Sequence, residues 1–248
     1  MSVDAGSWLA RTKAQARLRL FCLPFAGGGA TIFRGWAEGL PPEVDVCPVY
    51  LPGRESRLRE PLFTRLEPLV EALGRALVPF LDMRFAFFGH SMGALISFEL
   101  ARYLRRMHAP EPVHLFVAAH RGPQLPDRDA PMHSLPDAAL VDALRRLGGT
   151  PQAVFEHEEL LQIVLPILRA DFELCETYVY AQEAPLDVPI SVFGGEQDPM
   201  VSVQDLQGWY EQTRRGCTLT MLPGDHFFLQ SQQGLLLSRI GQQLRSLL

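Results

Sequence analysis

Phe85-Ala86-Phe87-Phe88-Gly89-His90-Ser91-Met92-Gly93-Ala94 is the stretch that decides the fold. An apolar run ends at a glycine, a serine stands between two glycines, and from Met92 to Met107 apolar residues recur at helical spacing. The pattern predicts a strand, a very sharp turn and a helix, with the serine at the junction. A serine there adopts strained backbone angles. Gly89 and Gly93 are required because side chains at those positions would clash with neighbouring backbone. The Ser91 hydroxyl is thereby pushed into a cleft, and the N-terminal end of the following helix favours negative charge beside it. Glycine-rich chains can contain the G-x-S-x-G spacing by chance, so the strand before it and the helix after it are what give it meaning.

Working outward, five more short apolar runs are bounded by Gly, Pro or charge: Leu18 to Pro24, Val44 to Tyr50, Val113 to Ala119, Ile190 to Phe193 and Thr218 to Leu222. Nearly continuous runs of this length fit strands covered on both faces, the signature of a largely parallel sheet. Leu66 to Leu81, Met92 to Met107 and Gln232 to Leu247 carry single apolar stripes that can lie on such a sheet. Alternating strands and helices predict a doubly wound, mostly parallel α/β sheet, and with the serine turn this is the α/β-hydrolase fold. One domain is expected over residues 1–248. Residues 120–186 break the rhythm, reading as helices from Pro136 to Leu147 and from Glu158 to Tyr180 after a Pro-rich loop. This predicts an inserted helical lid, the bland alternative being a packing subdomain without a role in substrate choice.

Composition narrows the partners. Hydrophobic residues make up 47% and charged residues 21%, and the net charge of -5 offers no basic footprint for a phosphate backbone, so nucleic acid is excluded as an expected partner. The four cysteines are widely separated, without metal or redox spacing, and residues 1–17 contain no apolar stretch of targeting length. A cytoplasmic location and no membrane association are therefore expected. No metal is implied either, since His157-Glu158-Glu159-Leu160-Leu161 lacks the second histidine of an HExxH helix. The glycines at 27–29 are followed neither by Gly-Lys-Ser/Thr nor by a completed GxGxxG, so no cofactor is expected.

A serine hydroxyl needs a histidine to take its proton, and that imidazole needs a carboxylate to fix its tautomer. Of seven histidines, His226 in Pro223-Gly224-Asp225-His226-Phe227-Phe228 follows the last strand and precedes the last helix, where a loop can carry it over Ser91. His120, at the end of its strand, is the second candidate; His90, beside Ser91, projects differently and reads as a packing residue. Asp198 in Gly194-Gly195-Glu196-Gln197-Asp198 follows the strand Ile190 to Phe193 and is the expected carboxylate, with Glu196 its nearest rival. Asp225 reads as loop-shaping. Asp187 precedes its strand, at the wrong end of the sheet. The backbone N–H of Met92 is one expected oxyanion donor, and the loop Pro24-Phe25-Ala26-Gly27-Gly28-Gly29 supplies the second at Ala26.

Together, Pro24-Phe25-Ala26-Gly27-Gly28, Leu51-Pro52-Gly53-Arg54, Gly89-His90-Ser91-Met92-Gly93-Ala94, Gly194-Gly195-Glu196-Gln197-Asp198 and Gly224-Asp225-His226-Phe227-Phe228-Leu229 resemble the type II thioesterases of polyketide and nonribosomal peptide synthesis. The motifs span nearly the whole chain in the family's order. The resemblance implies a free-standing enzyme that clears stalled acyl groups from the phosphopantetheine arm of acyl- or peptidyl-carrier proteins. It carries the family's triad onto Ser91, Asp198 and His226 and its oxyanion amides onto Met92 and Ala26. Arg169-Ala170-Asp171-Phe172 and Tyr178 look like the family's lid helix, so Phe172 and Tyr178, with Phe25 and Phe227, are the expected substrate-binding side chains. A general carboxylesterase or lipase would use the same triad. A non-catalytic binding protein on the same fold is the reading from a different class.

Overall fold

The structure is a computed structural model describing residues 8, 9, 13, 15–128 and 130–248. Most of the N-terminal stretch read for a targeting segment lies outside the described residues. Among the described residues six strands form one sheet: β1 (Leu18–Leu23), β2 (Val44–Pro48), β3 (Phe85–His90), β4 (His114–Ala118), β5 (Ile190–Gly195) and β6 (Cys217–Leu222). The order is β2-β1-β3-β4-β5-β6 and every pairing is parallel. The six apolar runs all become strands: β1, β3, β4 and β5 are buried on both faces, whereas the edge strand β6 is largely half-buried. Along β3, Phe85 and Phe87 enter one core while Ala86 and Phe88 enter the other.

On the first face lie helices α1 (Leu66–Leu77) and α2 (Met92–Arg106), packed through Leu69, Leu73, Leu95 and Phe98. Among the described residues three helices then separate β4 from β5: α3 (Asp137–Leu147), α4 (Gln152–Glu156) and α5 (Glu158–Glu176). The short α6 (Val203–Gln207) follows β5, and the chain ends in α7 (Phe228–Ser231) and α8 (Gln233–Arg245), which covers the second face with Leu236, Leu237, Ile240 and Leu244. Helices α3 and α5 share a small core of their own, built on Leu140, Leu144, Leu165 and Leu168.

One expected boundary is corrected and one unexpected helix is added. The long helix from Glu158 ends at Glu176 rather than Tyr180, and α4 fills a stretch that carried no helix expectation. Five residues present too little periodicity to read.

The strand order turns this scaffold into a cleft. From β1 the chain moves outward to β2, then returns to place β3 on the other side of β1, so the loops leaving β1 and β3 diverge at their carboxyl ends. Ser91 follows β3 and the Phe25–Gly28 turn follows β1, so both border the same crevice.

No helix among the described residues is long and apolar enough to cross a membrane.

Candidate active site

Ser91 sits at φ 53° and ψ −118°, a conformation costly for a residue with a side chain. Its surroundings hold it there. The Ser91 N–H donates to the Ala118 carbonyl of β4 at 2.8 Å, and the Ala94 N–H returns to the Ser91 carbonyl at 2.9 Å. A Cβ on Gly89 would come within 2.0 Å of the Gly93 carbonyl oxygen, so the turn closes only with glycine at that position.

The Ser91 hydroxyl lies 3.1 Å from His226 Nε2, and His226 Nδ1 lies 2.8 Å from Asp198 Oδ2. A carboxylate oxygen accepts, so Nδ1 carries the proton and Nε2 keeps its lone pair toward the serine. The other Asp198 oxygen accepts the N–H groups of Met200 at 2.8 Å and Val201 at 3.3 Å. Both carboxylate oxygens are thus occupied, and the side chain is only 1% exposed. The loops carrying Asp198 and His226 are stitched together by Gln197 N–H to the Gly224 carbonyl and by Gly224 N–H to Gln197 Oε1, at 2.9 and 2.8 Å. At Gly195 the two loops approach so closely that a Cβ would lie 2.3 Å from the Asp225 carbonyl oxygen.

The rival groups are exposed or engaged elsewhere. Glu196 is exposed. His120 Nδ1 donates to the Arg121 carbonyl at 2.6 Å, and its pKa is pushed down to about 4, chiefly by burial and also by the Arg121 charge. His90 is fully buried under the site, its Nε2–H donating to the His226 carbonyl at 2.8 Å, so it braces the histidine loop. Asp225 accepts the Phe227 N–H at 2.8 Å, and Asp187 pairs with Arg215 on the surface.

Ser91 and His226 open onto a cavity of about 140 Å³ lined mainly by apolar side chains. Phe25, Ala26, Phe172 and Phe227 all line it, with Leu144, Val164 and Leu168 from the inserted helices. Phe25 packs edge-on against Phe227 at 5.1 Å. Tyr178, the fourth expected substrate-binding side chain, does not line it. It lies beyond the end of α5, and its hydroxyl donates to Glu99 of α2 at 2.7 Å, along a separate surface groove.

Sequence reading also missed the wall formed by Gly148, Gly149, Thr150 and Pro151. Its only local signal is a double glycine after a helix. What makes it a wall is Phe227, so close that a Cβ on Gly149 would lie 2.1 Å from its ring.

Comparison with known proteins now decides the family. The family model described as Thioesterase domain matches residues 18–244. The chain belongs to the thioesterase family. It is similar to LgrE of Brevibacillus parabrevis, named a linear gramicidin dehydrogenase, at 47% identity over 99% of this chain and 95% of that protein. It is similar to RedJ, a thioesterase of the prodiginine pathway of Streptomyces coelicolor, with 43% identity, a TM-score of 0.88 and coverage of 92% and 91%. It is also similar to the type II thioesterase BorB of the borrelidin cluster, with 35% identity, a TM-score of 0.87 and coverage of 98% and 99%. The chain is therefore a hydrolase acting on thioesters, of the type II thioesterases of polyketide and nonribosomal peptide pathways. The name dehydrogenase finds no echo in this chain's β1 loop, which completes no dinucleotide fingerprint.

The buried histidines give a pH prediction. Burial, aided by the nearby His226, pushes the His90 pKa down to about 3, and burial pushes His114 down to about 4. In the unfolded chain both titrate near pH 6.5. Between about pH 6.5 and 4 the unfolded chain therefore binds protons that the native protein refuses. Their contribution is intact above that window and is lost as pH falls, at up to about 1.4 kcal/mol per pH unit for each group. Urea unfolding should show a lower midpoint at pH 4.5 than at pH 7, with a shallower decline in His114→Gln. Equal declines in the two proteins would contradict a neutral, buried His114.

Proposed function

We propose that the protein hydrolyses acyl thioesters carried on the phosphopantetheine arm of acyl- or peptidyl-carrier proteins, using Ser91, His226 and Asp198 as its triad. The observation that carries this reading is the unbroken run of contacts from Asp198 through His226 to Ser91 at the mouth of an apolar cavity.

Ser91 Oγ attacks the thioester carbonyl carbon while its proton passes to His226 Nε2. The resulting oxyanion is met by the N–H groups of Met92, at the start of α2, and of Ala26. Among the described residues neither amide is spent on a backbone hydrogen bond within the protein. The α2 macrodipole adds to the stabilisation. The C–S bond then breaks, and the departing sulfur takes the proton from His226. Water next gives a proton to His226 and its oxygen to the acyl-serine carbon; collapse returns the proton to Ser91 Oγ and frees the carboxylic acid.

The chain is read as one domain in which residues 120–186 form a lid whose apolar side chains receive the acyl chain. Phe25, Phe172 and Phe227 are its aromatic contacts.

A panel of acyl chains, each on a carrier protein and on coenzyme A, tests the substrate reading. Hydrolysis of the carrier-bound thioesters at higher kcat/KM is the expected result. Cleavage of matched oxygen esters with carrier thioesters left intact would favour the carboxylesterase alternative.

A further inference from the structure

Beside the triad lies an ion pair that the chemistry above does not use. Arg54, after β2, and Asp171, on α5, form a two-pronged pair with N···O distances of 2.6 and 2.7 Å, their side chains 7% and 3% exposed. Burying two charges is costly, and replacing such a pair with apolar side chains is often neutral or stabilising, so stability alone does not account for it. Its remaining contacts all go to one place. Asp171 Oδ2 also accepts the Gly27 N–H at 2.7 Å, and Arg54 donates to the Gly28 carbonyl at 3.1 Å.

Those contacts fall on the turn that carries Ala26. Gly28 N–H donates to the Phe25 carbonyl at 2.9 Å, closing a four-residue turn, and Gly27 has φ 77° at its third position, as a type II turn requires. Because a trans peptide points its N–H opposite its C=O, fixing the Phe25 carbonyl inward turns the Ala26 N–H outward. The central peptide, between Ala26 and Gly27, is the one whose flip would convert the turn to type I. Its N–H is the group Asp171 holds. Leu168 of the same helix packs over Gly27, where a Cβ would lie 2.5 Å from its Cδ2.

We infer that Asp171, paired with Arg54, is a positioning residue that locks the Phe25–Gly28 turn with the Ala26 N–H aimed at the developing oxyanion. The inserted helix α5 is thereby tied to the catalytic step, in addition to lining the cavity. The inference rests on the proposed role of Ser91 and Ala26.

The test uses Asp171→Asn and the apolar double variant Arg54→Met/Asp171→Leu. It measures kcat and KM on an acyl-pantetheine thioester, inhibition by the matching acyl trifluoromethyl ketone, and binding of the unreactive thioether. The ketone adds to a serine and places an oxyanion in the hole; the thioether does not. Both variants should lose about 10- to 100-fold in kcat, part of what removal of a whole oxyanion donor costs. Ketone affinity should fall in step, while KM and thioether binding change less than about 2-fold. If Asp171→Asn fails to fold, the double variant, which leaves no unpaired buried charge, decides alone. Folded variants with wild-type kcat and ketone affinity, or with kcat, KM and thioether binding all worsened together, would overturn the inference. A wild-type protein that cleaves the thioester but is not inhibited by the ketone would instead refute the acyl-serine reading on which it rests.

Discussion

Ser91→Ala should lower kcat/KM for acyl-thioester hydrolysis by at least about 10⁴-fold, with the protein folded and thioether binding retained. The size follows from what alanine removes under the proposed mechanism: the attacking oxygen and, with it, any task for His226 Nε2, 3.1 Å away. His226→Ala should cost about as much, because an unassisted serine hydroxyl is a poor nucleophile at neutral pH. The Ser91→Ala/His226→Ala double variant should be hardly worse than either single one, since the groups act as a unit. Asp198→Asn should cost somewhat less, as the imidazole keeps a hydrogen-bonding neighbour but loses the one that fixes its tautomer. Rates on one acyl-pantetheine substrate, with folding checked by circular dichroism, test the series. Near-normal hydrolysis by Ser91→Ala would remove Ser91 from the mechanism, and full additivity of the single losses would deny that the two residues act together.

What could be read from the sequence follows a physical division. Strands such as β3 and β4 bury both faces, so their composition alone marks them, and the glycines of the serine turn answer to local sterics. The approach of His226 to Ser91 was within reach too, because each stands at the carboxyl end of a strand in a sheet whose order is nearly sequential. The inserted segment was harder. The resemblance sets Phe172 and Tyr178 together on the lid helix, yet α5 stops at Glu176, and two residues later the Tyr178 hydroxyl donates to Glu99 of α2. Periodicity cannot register that departure. Arg54 and Asp171 are 117 residues apart, and two charged side chains carry no signal that they will be buried together.

Gly93→Ala carries the second large effect, this time on stability and rate at once. Gly93 lies in the first turn of α2, where alanine would ordinarily be preferred by about 1 kcal/mol. Here the added Cβ would lie 2.2 Å from the Leu23 carbonyl oxygen, 2.6 Å from the Leu23 carbonyl carbon and 2.8 Å from the Pro24 carbonyl oxygen. All three are backbone atoms at or just past the end of β1, where Cys22 is paired to β2 and Leu23 to β3, and cannot swing aside as a side chain would. Either α2 lifts from the sheet or the end of β1 retreats. The first moves Met92, and the second moves the turn holding Ala26, so both routes disturb the groups read as oxyanion donors. A loss of at least about 3 kcal/mol is expected, at the upper end of ordinary overpacking because backbone must move. The folded fraction should also show kcat reduced by more than about 10-fold. Gly234→Ala is the matched control: it too lies in the first turn of a helix, α8, and nothing stands within 4 Å of its added Cβ. That change should be neutral or stabilising by up to about 1 kcal/mol, without effect on kcat. Urea midpoints and single-substrate kinetics on the two variants would separate helix propensity from the steric demand of the serine turn. Equal stabilities would mean that β1 can yield at Leu23, contrary to its pairing with Gly89 of β3.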